Sequence, residues 1–185
     1  MDINAIEINN INDVIFDESG VSSAYFSLKE SVVIDDQVIK QLKSKALEHK
    51  TDIRLCLHKN SSSDFHNMII VQHRDNYYPP HKHPIKAECY HLIEGELGAI
   101  HYDDLGNITK KCRLRDDGNF IYRIAANEYH VVFPLSEVVV YHESKPGPFM
   151  RKEDFVEPIW SPNKNHSAEI NRYTRKNREL FNNFI

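Results

Sequence analysis

Pro80-His81-Lys82-His83 places two imidazoles two residues apart, and Glu88 follows after Pro84-Ile85-Lys86-Ala87. In an extended strand, side chains two apart point to the same face, so His81 and His83 can grip one ion from one side. Glu88 then returns on a neighbouring strand with its carboxylate aimed at the same point. Gly95 supplies the backbone freedom for the hairpin that follows. A fourth ligand is expected from a strand distant in sequence, and His130 fits: it opens the apolar run His130-Val131-Val132-Phe133 just after a turn. Imidazole and carboxylate ligands suit iron, manganese, zinc, nickel or copper, and ligand type does not choose among them. Four protein ligands on an octahedral ion leave two positions for water or substrate. A closed tetrahedral site leaves none and is structural.

Other side chains extend this constellation. Tyr90 lies two residues beyond Glu88 and should face the same interior, as a proton donor or as a core aromatic with its hydroxyl satisfied. Glu143 sits on the last strand between Tyr141 and Lys145, where an inward carboxylate needs a partner; it reads as a general base beside the metal or as half of an ion pair. Arg54 and His58 precede the core and read either as holders of an anionic substrate at a barrel mouth, with the guanidinium forking onto phosphate or carboxylate, or as a surface salt bridge with a capped loop. Lys86 is expected to face solvent. His73, His91, His101 and His142 are placed outside the ligand set, and His91 should point away from the face of Glu88.

The elements that must position these groups are mainly strands. Residues 1–34 alternate apolar and polar in short stretches, Ala24–Leu28 and Val32–Ile34, and read as one or two edge strands. Asp35 and Asp36 then start a helix, because a carboxylate there accepts orphan amide hydrogens. Val38, Ile39, Leu42, Ala46 and Leu47 recur at helical spacing, which predicts an amphipathic helix over about 36–49 within a flanking segment 35–50. Over 54–148 the period changes to two. Asn67–His73, Ala87–Ile93, Leu97–Tyr102, Phe120–Ile124, His130–Phe133 and Val138–Glu143 are short and rich in Val, Ile, Tyr and Phe, with turn residues between them. Many short strands at regular spacing predict an antiparallel sandwich or barrel, with no βαβ alternation. Pro146 and Pro148 end the last strand. Residues 149–162 read as a covering loop carrying Trp160. In the tail, Ile170, Tyr173, Leu180, Phe181 and Phe184 give one helical face, to dock on the barrel or on a second subunit.

Composition narrows the functional classes. With 185 residues, 41% hydrophobic and 27% charged, the chain fits a single globular domain spanning 1–185. The formal net charge is −4 and no basic stripe is present, so neither nucleic acid nor an anionic membrane is the expected partner. No apolar stretch approaches the roughly 20 residues needed to cross a bilayer. The acidic first residues lack the basic start and apolar core of a signal peptide, and three widely spaced cysteines (Cys56, Cys89, Cys112) suit a reduced compartment. The expected location is the cytoplasm. Exposed edges of such a sheet would suit pairing into a homodimer.

His81-x-His83-x4-Glu88-x6-Gly95 resembles the first motif of the cupin superfamily, complete apart from its leading glycine. The second motif, Pro-x-Gly-x-x-His, is matched by Ala125-Ala126-Asn127-Glu128-Tyr129-His130: the histidine is kept, and Asn127 replaces glycine with the residue that best tolerates a left-handed turn. More narrowly, the chain resembles the WbuC family of cupin-fold metalloproteins. The matching stretches are Arg54-Leu55-Cys56-Leu57-His58, Tyr78-Pro79-Pro80-His81-Lys82-His83, Lys86-Ala87-Glu88, Tyr102-Asp103-Asp104-Leu105-Gly106, Glu143 to Phe149, and Trp160-Ser161-Pro162, together covering roughly residues 35–162. The resemblance implies a double-stranded β-helix, a jelly-roll barrel with a flanking N-terminal helix. It implies one divalent metal (iron, zinc, manganese or nickel) on His81, His83, Glu88 and His130. It also points to surface-polysaccharide synthesis, with a sugar or nucleotide sugar as the small-molecule ligand. Three functions fit: a metal-dependent isomerase or epimerase, an iron-dependent oxygenase, and a non-catalytic metal- or ligand-binding module. A shared fold does not choose among them.

Overall fold

A computed structural model describes residues 4–18 and 23–182. Among them the chain forms, in order, β1 (Val14–Asp17), β2 (Ser23–Ser27), α1 (Asp36–His49), β3 (Ile53–Cys56), β4 (Phe65–His73), β5 (Glu88–Glu94), β6 (Leu97–Tyr102), β7 (Ile108–Leu114), β8 (Ile121–Ile124), β9 (Tyr129–Pro134), β10 (Val138–Pro146), α2 (Arg151–Asp154) and α3 (Ser167–Glu179). The strands make two sheets, one ordered β1-β2-β3-β4-β10-β5-β8 and one ordered β7-β6-β9. From β5 onward the chain crosses repeatedly between them, with β6 and β7 both in the small sheet, which rolls the pair into a double-stranded β-helix. The expected jelly-roll fold is the one observed.

The period-two pattern sorts side chains onto an inner and an outer face. Inside the barrel, Met68 and Ile70 of β4, Tyr90 and Leu92 of β5, Leu97 and Ala99 of β6, Val132 of β9, and Val139 and Tyr141 of β10 pack together. On the outer face of the large sheet, Leu55, Ile69, Val71 and Val140 meet Val38, Ile39, Leu42 and Ala46 of α1. Burying side chains of this size is worth roughly 1.5–3 kcal/mol for each of the larger ones. The helix starts where expected: the Asp35 carboxylate accepts from the amides of Gln37 and Val38, both at 3.0 Å.

The outer face of the small sheet is covered by the tail. Phe181 lies 5.7 Å, ring to ring, from Phe133, and the Tyr102 hydroxyl donates to Oδ1 of the buried Asn177 at 3.2 Å. The apolar face predicted for the tail therefore docks on the barrel; Phe184 lies outside the described residues. Trp160 packs on Tyr102 at 4.9 Å, as a covering loop requires.

Three local expectations need correction. Val32–Ile34 contributes only a single bridge, between Val33 and Ala5. Strand β7 was not expected, because ITKKCRL is mostly polar; it is an edge strand whose first four residues are exposed, so its sequence carries no burial pattern. Strand β10 runs past Glu143 as far as Pro146.

Candidate metal centre

His130 of the small sheet and His81 and His83 of the segment bridged to it present three imidazoles to the barrel interior, and the large sheet presents one carboxylate opposite them. His81 and His130 form a reciprocal antiparallel pair: the His81 amide donates to the His130 carbonyl at 2.9 Å, and the His130 amide to the His81 carbonyl at 2.8 Å. Directly opposed residues share a face, so both rings point inward. His83 is two residues further on that face, and its carbonyl accepts from the Asn127 amide at 2.8 Å. Asn127 has φ 64°, so the turn normally made by glycine is made by asparagine. Glu88 opens β5, buried and opposite Ile124 of β8. Gly95 (φ 85°) closes the following hairpin, where a Cβ would lie 2.6 Å from Ser136 Oγ and 2.7 Å from the Val138 carbonyl oxygen.

His81, His83, Glu88 and His130 each offer a ligand atom, and these atoms lie within 4.8 Å of one another. Metal–ligand bonds of about 2.1 Å put ligand atoms about 3.0 Å apart when cis and about 4.2 Å when trans, so one ion fits among them.

Ring orientation supports the same reading. Nδ1 of His81 faces the Pro79 carbonyl at 3.2 Å, Nδ1 of His130 faces the Glu128 carbonyl at 2.8 Å, and Nδ1 of His83 contacts the Asp154 carbonyl. A carbonyl oxygen only accepts, so each Nδ1 carries the hydrogen and each neutral ring keeps its lone pair on Nε2. His83 Nε2 and His130 Nε2 are buried without a hydrogen bond. They nonetheless stand 3.0 Å and 2.7 Å from the two Glu88 oxygens. Lone pairs this close to a carboxylate repel, and the contact is relieved by a proton on the imidazole or by a cation held between the groups. The electrostatics are those of a cation site. Burial, then the neighbouring His130, holds His81 well below the usual imidazole range and keeps its lone pair available. Burial opposes ionisation of Glu88, but the facing His130 and His83 outweigh it and hold the carboxyl well below its usual range. Against burial, Glu88 also raises the pKa of His130, drawing positive charge to the same point.

Around the ligands lies a second layer of polar groups. Tyr90 donates its hydroxyl to Glu88 Oε1 at 2.5 Å, and burial followed by the Glu88 and Glu143 charges keeps the phenol protonated. Glu143 is buried and faces inward, with Oε1 at 2.7 Å from Lys145 Nζ. Lys145 Nζ stands 3.7 Å from Glu88 Oε2. Phe155 stacks on His81 at 4.3 Å with 20° between ring planes. His101, outside the ligand set as expected, lies behind His130 and bridges Glu128 Oε2 and the Tyr122 hydroxyl, both at 2.8 Å.

Two further sequence candidates lie outside the ligand group. Arg54 lies on β3, two residues from the inward-facing Cys56 and on the same face, where its charge acts on Lys145 and Tyr141. His58 stacks on His66 at 4.1 Å, with Nδ1 against the backbone of Asn67. Burial, then His66, lowers its pKa to about 4, so it is a neutral ring near neutrality rather than an anion-holding cation. Lys86, expected in solvent, is largely covered and bonds Asp154 Oδ2 at 2.6 Å.

Sequence reasoning passed over Lys145, Phe155 and the Asp154 carbonyl. Lys145 was within reach of it, because residues 141, 143 and 145 share one face of a strand. The Asp154 carbonyl was not: main-chain oxygens leave no side-chain signature.

Residues 34–114, less than half of the chain, match a family described as a domain of unknown function, DUF6016. No curated protein matches the chain. Among solved structures, the chain is similar to CapF bound to the inhibitor 3-isopropenyl-tropolone, at 10% identity over 59% of this chain and 32% of that one, with a TM-score of 0.48. It is similar to L-ribose isomerase of Cellulomonas parahominis with L-ribose, at 13% identity over 58% of this chain and 69% of that one, TM-score 0.46. The Cnp3 cupin domain of Schizosaccharomyces pombe gives 11% identity over 72% of this chain and 87% of that one, TM-score 0.43. The chain thus spans about a third of the CapF chain that it matches. No described helix is long and apolar enough to cross a membrane.

Proposed function

We propose that this chain is a metal-binding cupin of the WbuC type. In this reading His81, His83, Glu88 and His130 hold one divalent transition metal, and the protein is a metal-dependent isomerase or epimerase acting on a sugar or nucleotide sugar. The observation that carries the metal assignment is the convergence of imidazole lone pairs, fixed by three main-chain carbonyls, on one carboxylate. When bound, the metal supplies Lewis acidity toward a carbonyl or hydroxyl oxygen. The rest falls to the chain. Tyr90 holds a proton 2.5 Å from Glu88 and fixes that carboxylate. Glu143 and Lys145 form a buried ion pair on the neighbouring strand, placing a carboxylate and an ammonium where a proton can move between substrate and protein. Phe155 closes one side of His81 and limits water there.

The test is metal content. Protein purified without added metal is measured by elemental analysis beside a His81→Ala/His83→Ala variant of confirmed fold. About one equivalent in the parent and a small fraction of that in the variant is expected; equal metal in both defeats the assignment. Thermal-shift screening with neutral sugars, sugar acids and nucleotide sugars then ranks ligand classes.

A further inference from the structure

The large sheet sets side chains of three adjacent strands, β4, β10 and β5, side by side. Lys145 of β10 is opposite His66 of β4, while Glu143 is opposite Tyr90 of β5 and Ser144 is opposite Cys89. One step further along, Lys145 comes level with Glu88. This explains why an ammonium with only 15% of its side chain exposed stands beside a metal-ligating carboxylate. Lysine is rarely enclosed so far without a purpose or a full set of partners. Here the partners are incomplete. The ammonium has three hydrogens. Glu143 Oε1 takes one at 2.7 Å, and Glu88 Oε2 at 3.7 Å is beyond hydrogen-bond reach.

The charges around this lysine point to what completes it. With the three imidazoles neutral, a divalent ion and the Glu88 carboxylate leave one positive charge, while Lys145 and Glu143 cancel each other. Among the ion, its ligands and this pair, one positive charge is therefore left over away from bulk water, a costly arrangement that a monoanion removes and a neutral sugar does not.

Resting on the metal reading above, we propose that Lys145 is the ligand-anchoring cation of the centre, and that the centre takes a small hydroxylated carboxylate, the class that includes sugar acids. The carboxylate and adjacent hydroxyl would be drawn to the ion held by His81, His83, Glu88 and His130, and the remaining Lys145 hydrogens would meet the anion. Glu143 then acts also as a positioning residue: it holds the ammonium in place through the 2.7 Å contact.

Glycolate, the smallest member of the class, is the probe. The full chain is loaded with Co2+, metal stoichiometry is measured, and glycolate is titrated while the visible cobalt spectrum is followed, with ribose as the neutral comparator. The parent should bind glycolate and not ribose. Lys145→Met should keep its cobalt and bind glycolate about tenfold or more weakly, while Lys145→Arg retains most of the affinity. Lys145→Gln carries the same test should the methionine variant not fold. Equal glycolate affinity in parent and charge-removed variants overturns the proposal. So does ribose binding as well as glycolate, or loss of cobalt from the charge-removed variants, which would make Lys145 a structural partner of Glu88. A parent chain that takes up no cobalt instead defeats the metal reading itself, and the stoichiometry separates the two failures.

Discussion

Asp154→Ala should weaken the candidate metal centre from a distance. Asp154 is buried; its Oδ2 lies 2.6 Å from Lys86 Nζ and accepts from the Met150 amide at 2.7 Å, while its own carbonyl meets Nδ1 of His83. The side chains of Lys86 and Asp154 are 13% and 4% exposed, so this is an enclosed ion pair. Removing one partner of such a pair typically costs about 3–5 kcal/mol. Lys86 also keeps the Pro148 carbonyl as an acceptor, which places the loss near the lower end, about 3 kcal/mol. For a chain of this length that lowers Tm by about 6–12 °C. The same change frees the segment 150–156 that fixes the His83 ring. Loss of an outer hydrogen bond of this kind lowers metal affinity about 10–100-fold. Competition against a chromophoric chelator measures the second effect, and calorimetry the first. Asp154→Asn, which retains an acceptor for Met150, should lose less of both. A variant that melts earlier yet holds its metal as tightly as the parent would refute the coupling between this segment and His83.

Further expectations concern stability. Phe181→Ala should cost about 3–4 kcal/mol, because the ring is 3% exposed and packs on Phe133; an unchanged urea midpoint would show that the tail does not hold the small sheet. His58 titrates at about 4 in the folded chain against 6.5 ordinarily, and His66 is lowered as well, both chiefly by burial. The unfolded chain binds these protons first, so stability should fall as pH drops from about 6.5 to about 4 and be unaffected by these groups above that window. His58→Phe should make the decline shallower by up to one proton, and an identical pH slope in parent and variant, read from denaturation midpoints, would contradict the assignment.

How far the sequence reaches can be judged from particular residues. Asp35 and the apolar spacing of Val38, Ile39, Leu42 and Ala46 place α1 at its observed start and end, because capping and amphipathicity are local properties. His81, His83 and Glu88 were legible because strand parity puts them on the inner side. His130 was legible because it opens an apolar strand after a turn. Strand β7 was not, since an exposed edge imposes no apolar alternation on Ile108–Leu114. The ion pair of Lys86 with Asp154 joins residues far apart in the chain, and nothing near either one announces the other. His58 shows the opposite limit: its type suggested a contact to an anionic substrate, while the burial and the stacking on His66 that lower its pKa belong to the folded state alone.

The oxygens that orient the three imidazoles belong to the main chain of Pro79, Glu128 and Asp154. Swapping the side chains at those places leaves the acceptors where they are, provided the path of the backbone is kept. Inserting or deleting one residue in any of the three connections would rotate a ring out of alignment even with every ligand present. Loop length at these three places should therefore hardly drift at all, while side-chain change is tolerated only where, unlike at Asp154 with its Lys86 ion pair, the side chain does not itself hold the backbone path.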